Sequence, residues 1–238
     1  MARLNESRIG ALLTEPFGSA FSKQARASIH AEHGTGLIVG LDGDVAVTTA
    51  AGTVRARAIL VGPHVPYAAA SPGPALSFSF DPELRPLTLD APVSVAPDRI
   101  VSLVRAHAAT LARPETMAGV GNALLGELPR ASRPIDRRIA RIVEALRDPT
   151  GEDRAPAMRA SRLSAAHLQA LFARDVGLPL RSYALWRRLL HGLSHVGPLD
   201  LTASAHAAGF ADLAHFSRTC RRMLGYAPSA LRANLVGG

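Results

Sequence analysis

The 238-residue chain is 47% hydrophobic and contains one cysteine, Cys220. This length suits one large domain or two small ones, and a single cysteine excludes a disulfide framework within the chain. No apolar run reaches the roughly 18 residues that a membrane span needs. The first twenty residues include Glu6 and Glu15 and lack an apolar signal segment, so we expect a cytoplasmic protein without a membrane partner.

The net charge of +8 is concentrated in the C-terminal part of the chain. Residues 134–238 hold 15 arginines against 8 acidic residues, a net charge of +7, whereas residues 1–133 carry only +1. Lys23 is the single lysine, so the positive charge consists almost entirely of guanidinium groups, which suit phosphate and guanine contacts. This asymmetry predicts that the C-terminal part meets a polyanion.

Residues 28–95 show the pattern of a small β domain. Short apolar or alternating segments are separated by turn residues, which predicts a sandwich or barrel. Apolar segments flank Asp42-Gly43 in GLIVGLDGDVAVTT, and this pattern predicts a tight hairpin. We therefore assign residues 1–96 to an N-terminal β domain.

The hydrophobic period becomes helical from Pro97 onward. Apolar residues recur at helical spacing after Asp98, a candidate N-cap, and a second helix is predicted over about 115–128. Residues 97–133 are predicted to form a helical connector that could mediate dimerisation. Prolines and glycines precede the amphipathic segment IDRRIARIVEALRD, so a second domain is predicted over residues 134–238.

Residues 200–224 show the pattern of two helices joined by a short turn. Asp200 and Asp212 are each placed to cap a helix. Gly209 can adopt the positive φ of a sharp helix exit, and Phe210 is predicted to enter the core. The second helix then presents small residues, a histidine and Arg218 outward, a surface suited to the DNA major groove.

A similar pattern lies about 48 residues upstream. Ser164 is a candidate N-cap and Gly177 a helix stop, with an apolar stripe between them. The intervening segment LPLRSYALWRRLLHGLSHV predicts a linker helix of about 22 Å. Two reading helices joined by such a rod could enter successive major-groove segments about 34 Å apart.

The segments SAAHLQALFARDVGLPLRSY and HAAGFADLAHFSRTCRRMLGYAPSALR resemble the DNA-binding module of the AraC/XylS transcription regulators. The resemblance covers roughly residues 135–235 and implies an α+β protein, with a small cupin-like β-barrel followed by an all-α domain of two helix-turn-helix motifs. It implies base-reading roles for Ala166, Gln169, Ala170, Leu213, Ala214, His215, Ser217 and Arg218. Phosphate contacts are expected from Arg187, Arg188, Arg221 and Arg222. The sequence departs from the family pattern at two positions. Pro156 lies in the first supporting helix, and Cys220 occupies a position where the family usually has a large apolar residue.

The resemblance implies a non-enzymatic regulator that binds double-stranded DNA, without catalytic residues, metal or cofactor. A small-molecule effector, RNA polymerase and a second copy of the chain are the further partners considered. Two other hypotheses stay open at this point. One is a metal-dependent cupin-type enzyme using His30, His33 and His64, and the other is a helical domain that binds protein rather than DNA.

Overall fold

A computed structural model describes most of the chain. The described residues are 11–14, 17–22, 26–83, 87, 89–107, 114–128, 135–147 and 154–230. Ten strands precede eight helices in the described part. Among these helices, none is long and apolar enough to cross a membrane.

The strands form two antiparallel sheets. They are β1 (Ala11–Thr14), β2 (Phe17–Ser22), β3 (Arg26–His30), β4 (Thr35–Gly40), β5 (Val45–Thr49), β6 (Gly52–Ala56), β7 (Ala58–Val61), β8 (Tyr67–Ala70), β9 (Ala75–Phe80) and β10 (Val93–Val95). The six-stranded sheet has the order β1-β2-β9-β4-β7-β10, and the four-stranded sheet has the order β3-β8-β5-β6. The prediction of a small sheet-rich domain is confirmed.

The predicted hairpin at Asp42-Gly43 is wrong. Strand β4 pairs with β7 and β9 in the larger sheet, whereas β5 pairs with β6 and β8 in the smaller one. A Cβ atom at Gly40 would clash with the Gly43 carbonyl oxygen, so the chain turns a tight corner between the sheets here. Every residue of β4 is buried, because the strand is covered on both faces and packs against more than its neighbour in sequence.

The helices are α1 (Asp98–Ala106), α2 (Pro114–Glu127), α3 (Arg137–Arg147), α4 (Arg154–Ala160), α5 (Ala165–Val176), α6 (Leu180–Ser194), α7 (Leu201–Ala207) and α8 (Leu213–Leu224). Asp98 is the first residue of α1 rather than its cap, because Pro97 occupies the N-cap position. Helix α4 forms despite Pro156, which lies in the first turn where a missing N–H is tolerated.

Three clusters of buried hydrophobic residues form the cores of the described part of the molecule. In the N-terminal half, Ile38 and Ile59 pack between the two sheets, while Leu37 and Phe78 on the other face of the larger sheet pack against α1 and α2. The predicted connector helices therefore complete the core of the β domain. The third cluster lies within the helical domain and is built from α3 and α5–α8.

Candidate nucleic-acid interface

The C-terminal helix-turn-helix has the local geometry that its sequence predicts. The Asp200 side chain accepts a hydrogen bond from the Ala203 backbone N–H, 2.8 Å away, at the start of α7. Gly209 has a φ of 71°, and Phe210 beyond it is buried. Asp212 then caps α8 by accepting a 2.6 Å hydrogen bond from the His215 N–H. These caps and the turn fix the angle at which α8 leaves the domain.

Helix α8 has one buried face and one solvent face. Phe216 and Cys220 are fully buried, and burial raises the pKa of the Cys220 thiol to about 12. The predicted base-reading side chains on the other face are exposed or half-exposed: Leu213, Ala214, His215, Ser217 and Arg218. The buried face holds the helix against the core and leaves this second face accessible to a partner.

The first helix-turn-helix repeats this arrangement. Ser164 caps α5 by accepting a hydrogen bond from the His167 N–H at 3.3 Å, and Gly177 ends the helix with a φ of 84°. The buried stripe is Leu168, Leu171, Phe172 and Val176. The predicted base-reading residues Ala166, Gln169 and Ala170 are all exposed.

The two reading helices match each other residue by residue. Both have 12 residues, and Ser164 precedes Asp212 by 48 positions, as Gly177 precedes Gly225. Gly225 also ends its helix in the left-handed conformation. In this register Arg218 corresponds to Ala170, so only the second helix presents a guanidinium at that reading position.

The linker helix α6 separates the two reading helices. Its 15 residues span about 22 Å. Arg188 is half-exposed and its guanidinium carbon lies 6.0 Å from the centre of the Phe210 ring, next to the start of α8. Arg221 and Arg222 on α8 are exposed. These three arginines remain accessible to an anion.

The prediction that Arg187 contacts phosphate is wrong for this conformation. Arg187 is buried, and its Nη1 lies 3.4 Å from the Asp81 carboxylate of the β domain. A charge buried in this way is bound to its partner instead of being free for solvent ligands. Sequence periodicity placed Arg187 next to Arg188 on α6 but contained no information that the β domain covers one of them.

The contact between the domains is polar and centred on the middle of α6. His33 Nε2 lies 2.8 Å from the Glu83 carboxylate, and both groups are buried. The His33 ring packs edge-on against Tyr183, with ring centres 5.4 Å apart, and lies near Trp186. His33 and Glu83 belong to the β domain, and Tyr183 and Trp186 belong to α6. The β domain therefore packs against one side of α6.

Burial and charge set the proton affinities at this contact. Burial raises the pKa of Asp81 to about 6, and the neighbouring Glu83 adds to the shift while His33 and Arg187 oppose it. The hydrogen bond from His33 and its charge keep the pKa of Glu83 below the usual value despite burial. Burial and the nearby His33 lower the pKa of His64. The protonation states of the charged groups at this contact therefore depend on one another.

The β domain also lies against the ends of both reading helices. His64 packs at the end of α5, since its Nε2 would be 3.6 Å from a Cβ atom at Gly177. Strand β3 lies against α8. Burial, with smaller effects from Cys220 and Glu32, raises the pKa of Tyr226 just beyond α8. One surface of the β domain thus contacts the linker helix and the C-terminal end of each reading helix.

The three histidines that raised the question of a metal do not converge. His33 Nδ1 lies 3.5 Å from His64 Nε2, but the His30 ring packs on Tyr67, with ring centres 4.5 Å apart. Within the described ranges, no group of three or more potential ligands is arranged to hold a metal ion. The polar residues of the domain contact that sequence analysis missed are Asp81, Glu83, Tyr183 and Trp186, and only their side-by-side placement in the fold identifies them.

Comparisons with known proteins agree with this geometry. Residues 158–234 match a helix-turn-helix domain family. The fold of the whole chain is similar to that of ToxT from Vibrio cholerae O395, with a TM-score of 0.59 and 13% identity over 94% of this chain and 100% of that one. An unsaturated-fatty-acid-bound ToxT from strain SCE256 gives a TM-score of 0.56 and 12% identity over 97% and 98% of the two chains. No curated protein matches the chain by sequence.

Proposed function

We propose that this chain is a sequence-specific DNA-binding regulator of the AraC/XylS type, and that α5 and α8 read two successive major-groove segments of one duplex. The observation that carries this proposal is the pair of matched 12-residue helices with exposed outer faces, on either side of a linker of about 22 Å. Adjacent major-groove segments on one face of DNA lie about 34 Å apart, within reach of two helices on such a rod.

The base-reading residues are those on the solvent faces of the two helices. Gln169 and Arg218 carry groups that bond base edges in the major groove: an amide pairs with adenine and a guanidinium with guanine. His215 adds a third polar group near the start of α8. The remaining proposed readers, Ala166, Ala170, Leu213, Ala214 and Ser217, supply small or apolar contacts. Phosphate contacts fall to Arg188, Arg221 and Arg222.

Regulation is proposed to act through the contact between the domains. The β domain contacts α6 through Asp81 and Glu83, and it also touches the ends of α5 and α8. A ligand or a second copy that displaces this surface would change how the reading helices are held. ToxT has been solved with an unsaturated fatty acid bound, which supports a small-molecule effector here. RNA polymerase as a partner, dimerisation through residues 97–133 and a cytoplasmic location belong to the same proposal.

Duplex binding as a function of salt tests the DNA proposal. Fluorescence anisotropy with a labelled duplex of about four helical turns should show log affinity falling linearly with log salt, by about 0.9 per phosphate contact. Arg55→Ala removes an exposed arginine on strand β6 of the other domain. It controls for the loss of one positive charge and should keep the full slope. A protein-interaction domain would give no such slope, and that result would reject the DNA proposal.

The regulatory proposal has its own reporter. Trp186 is the single tryptophan of the chain and is buried at the domain contact. Asp81→Asn removes the partner of Arg187 and should shift Trp186 emission to longer wavelength and change duplex affinity. Asp90→Asn, a matched change at an exposed carboxylate, should do neither. Unchanged duplex affinity in Asp81→Asn, with the emission shifted, would show that the domain contact does not control DNA binding.

A further inference from the structure

The turn of the first helix-turn-helix contains a strained arginine. Arg162 has a φ of 53°, in the left-handed region that residues other than glycine, asparagine and aspartate rarely adopt. Arg162 and His64 are the two residues other than glycine with a positive φ in the described part of the chain. Such strain persists only where the surrounding structure imposes it, and it marks candidate functional positions.

The second helix-turn-helix shows what this position normally requires. Gly209 has a φ of 71° and occupies the matching place when the turns are counted from the preceding helix, since Arg162 is the second residue after α4 and Gly209 the second after α7. The backbone N–H of each residue donates to the carbonyl three residues earlier, Arg162 to Arg159 at 3.2 Å and Gly209 to His206 at 2.9 Å. The same turn is thus built once with glycine, at no steric cost, and once with arginine.

The neighbours of Arg162 hold the strained backbone in place. Ser161 is buried, and its hydroxyl donates a 2.7 Å hydrogen bond to the Met158 carbonyl. The same hydroxyl accepts a hydrogen bond from the Leu163 N–H at 3.3 Å. Leu163 packs on the core of the helical domain. The residue between them must project to solvent, and Arg162 is exposed.

Nothing within the described protein offsets the strain through the guanidinium. No described residue forms an ion pair or side-chain hydrogen bond with Arg162. Its position is two residues before Ser164, the cap of reading helix α5. The proposed readers of α5, Ala166, Gln169 and Ala170, are all uncharged. Arg174 on the same helix is paired with Asp175, so Arg162 is a positive charge without a described partner close to the start of this reading helix.

We propose that Arg162 is a phosphate-contacting residue of the first helix-turn-helix, and that its strained backbone is retained because this contact anchors α5 on the duplex. This inference rests on the proposed DNA binding. It assigns Arg162 to positioning rather than base readout, since an arginine bound to phosphate fixes the register of the protein without reading sequence. The turn of the first half would then supply a positive charge near α5, whereas in the second half Arg218 on the reading helix itself supplies one.

Three variants test the inference because they separate strain from charge. Arg162→Gly relieves the strain and removes the charge, and we expect its Tm to rise by about 2–4 °C while its Kd for a mixed-sequence duplex rises about tenfold. The slope of log affinity against log salt should become shallower by about 0.9. Arg162→Asn tolerates the left-handed backbone and should lose the same affinity. Arg162→Lys keeps the charge and should bind within about threefold of the wild type.

The outcomes are distinct from those of the DNA proposal itself. Opposite signs for stability and affinity in Arg162→Gly support the inference, because a purely structural residue would change both in the same direction. Wild-type affinity and salt slope in both Arg162→Gly and Arg162→Asn would overturn it. Arg55→Ala controls for the lost net charge and should keep the full slope. If the wild-type protein shows no salt-dependent duplex binding, the proposed function fails first, and that result is separate.

Discussion

The two helix-turn-helix halves share a backbone plan but differ in how their parts are supported. Helix α7 buries Ser204 and Ala205 against the rest of the domain, whereas α4 has no buried residue. The second turn places Phe210 in the core, with 2% of its surface exposed, whereas the first turn places the half-buried Leu163 there. The supporting helix and turn next to the reading helix are therefore tightly packed in the second half and more loosely packed in the first.

When α5 and α8 are aligned with the offset of 48 residues, their side chains differ at key positions. Cys220 on α8 corresponds to Phe172 on α5, and Arg218 corresponds to Ala170. The second half combines a small buried residue with a charged reading residue, and the first combines a large buried residue with uncharged ones. If the helices bind DNA as proposed, we expect sequence selectivity to be concentrated in the second half and the first half to act mainly as an anchor.

The largest expected effect is on stability at the two turns. Phe210→Ala should lower the free energy of unfolding by about 3–5 kcal/mol, because it empties a buried aromatic site. Leu163→Ala should cost clearly less, since its side chain is only half-buried. Urea unfolding followed by circular dichroism measures both. Equal losses would show that the first turn is packed as tightly as the second.

Arg218→Ala should have the next largest effect, on recognition. Loss of a bidentate guanine contact costs about 1–3 kcal/mol of binding and relaxes specificity at one base pair. Binding selection on a randomised duplex pool measures which position is relaxed, with Arg55→Ala as the control. An equal loss of affinity for every duplex would instead identify Arg218 as a phosphate contact and would remove the main difference in selectivity between the halves.

The helix caps should give smaller and equal effects. Ser164→Ala and Asp212→Ala each remove one side-chain hydrogen bond to a backbone N–H, and each should lower the free energy of unfolding by about 1 kcal/mol. Thermal unfolding with both single variants and the double variant measures this. A cap that costs nothing would mean that its helix is held entirely by packing.

The smallest expected signal comes from the Cys220 thiol. Burial raises its pKa to about 12, and the thiolate is the reactive form. The native protein should therefore react very slowly with a disulfide reagent at pH 8, and the urea-unfolded protein rapidly. Fast reaction in the native state would contradict the tight packing assigned to the second half.

Local features of the helical domain could be predicted from sequence because they depend on neighbours along the chain. The caps at Ser164, Asp200 and Asp212, and the helix stops at Gly177 and Gly225, are all confirmed. Each follows from a side chain that bonds a nearby N–H or from a residue that tolerates positive φ. The same local logic identified the turn at Gly209.

Features that depend on distant parts of the chain could not be predicted in this way. The Asp42-Gly43 pair suggested a hairpin, but β4 finds its partners in β7 and β9, far along the sequence. Arg187 was expected to be accessible, but Asp81, 106 residues away, binds it. The positive φ of Arg162 also escaped sequence reading, because arginine carries no turn signal of its own.

Cross-linking from the two reading helices tests the central claim most directly. A photo-reactive group placed at position 169 in one sample and at position 218 in another can be mapped on a bound duplex at nucleotide resolution. We predict cross-links in two major-groove segments about one helical turn apart, roughly 34 Å, on the same face of the DNA. Cross-links from both positions to a single groove segment, or from position 218 alone, would contradict the account.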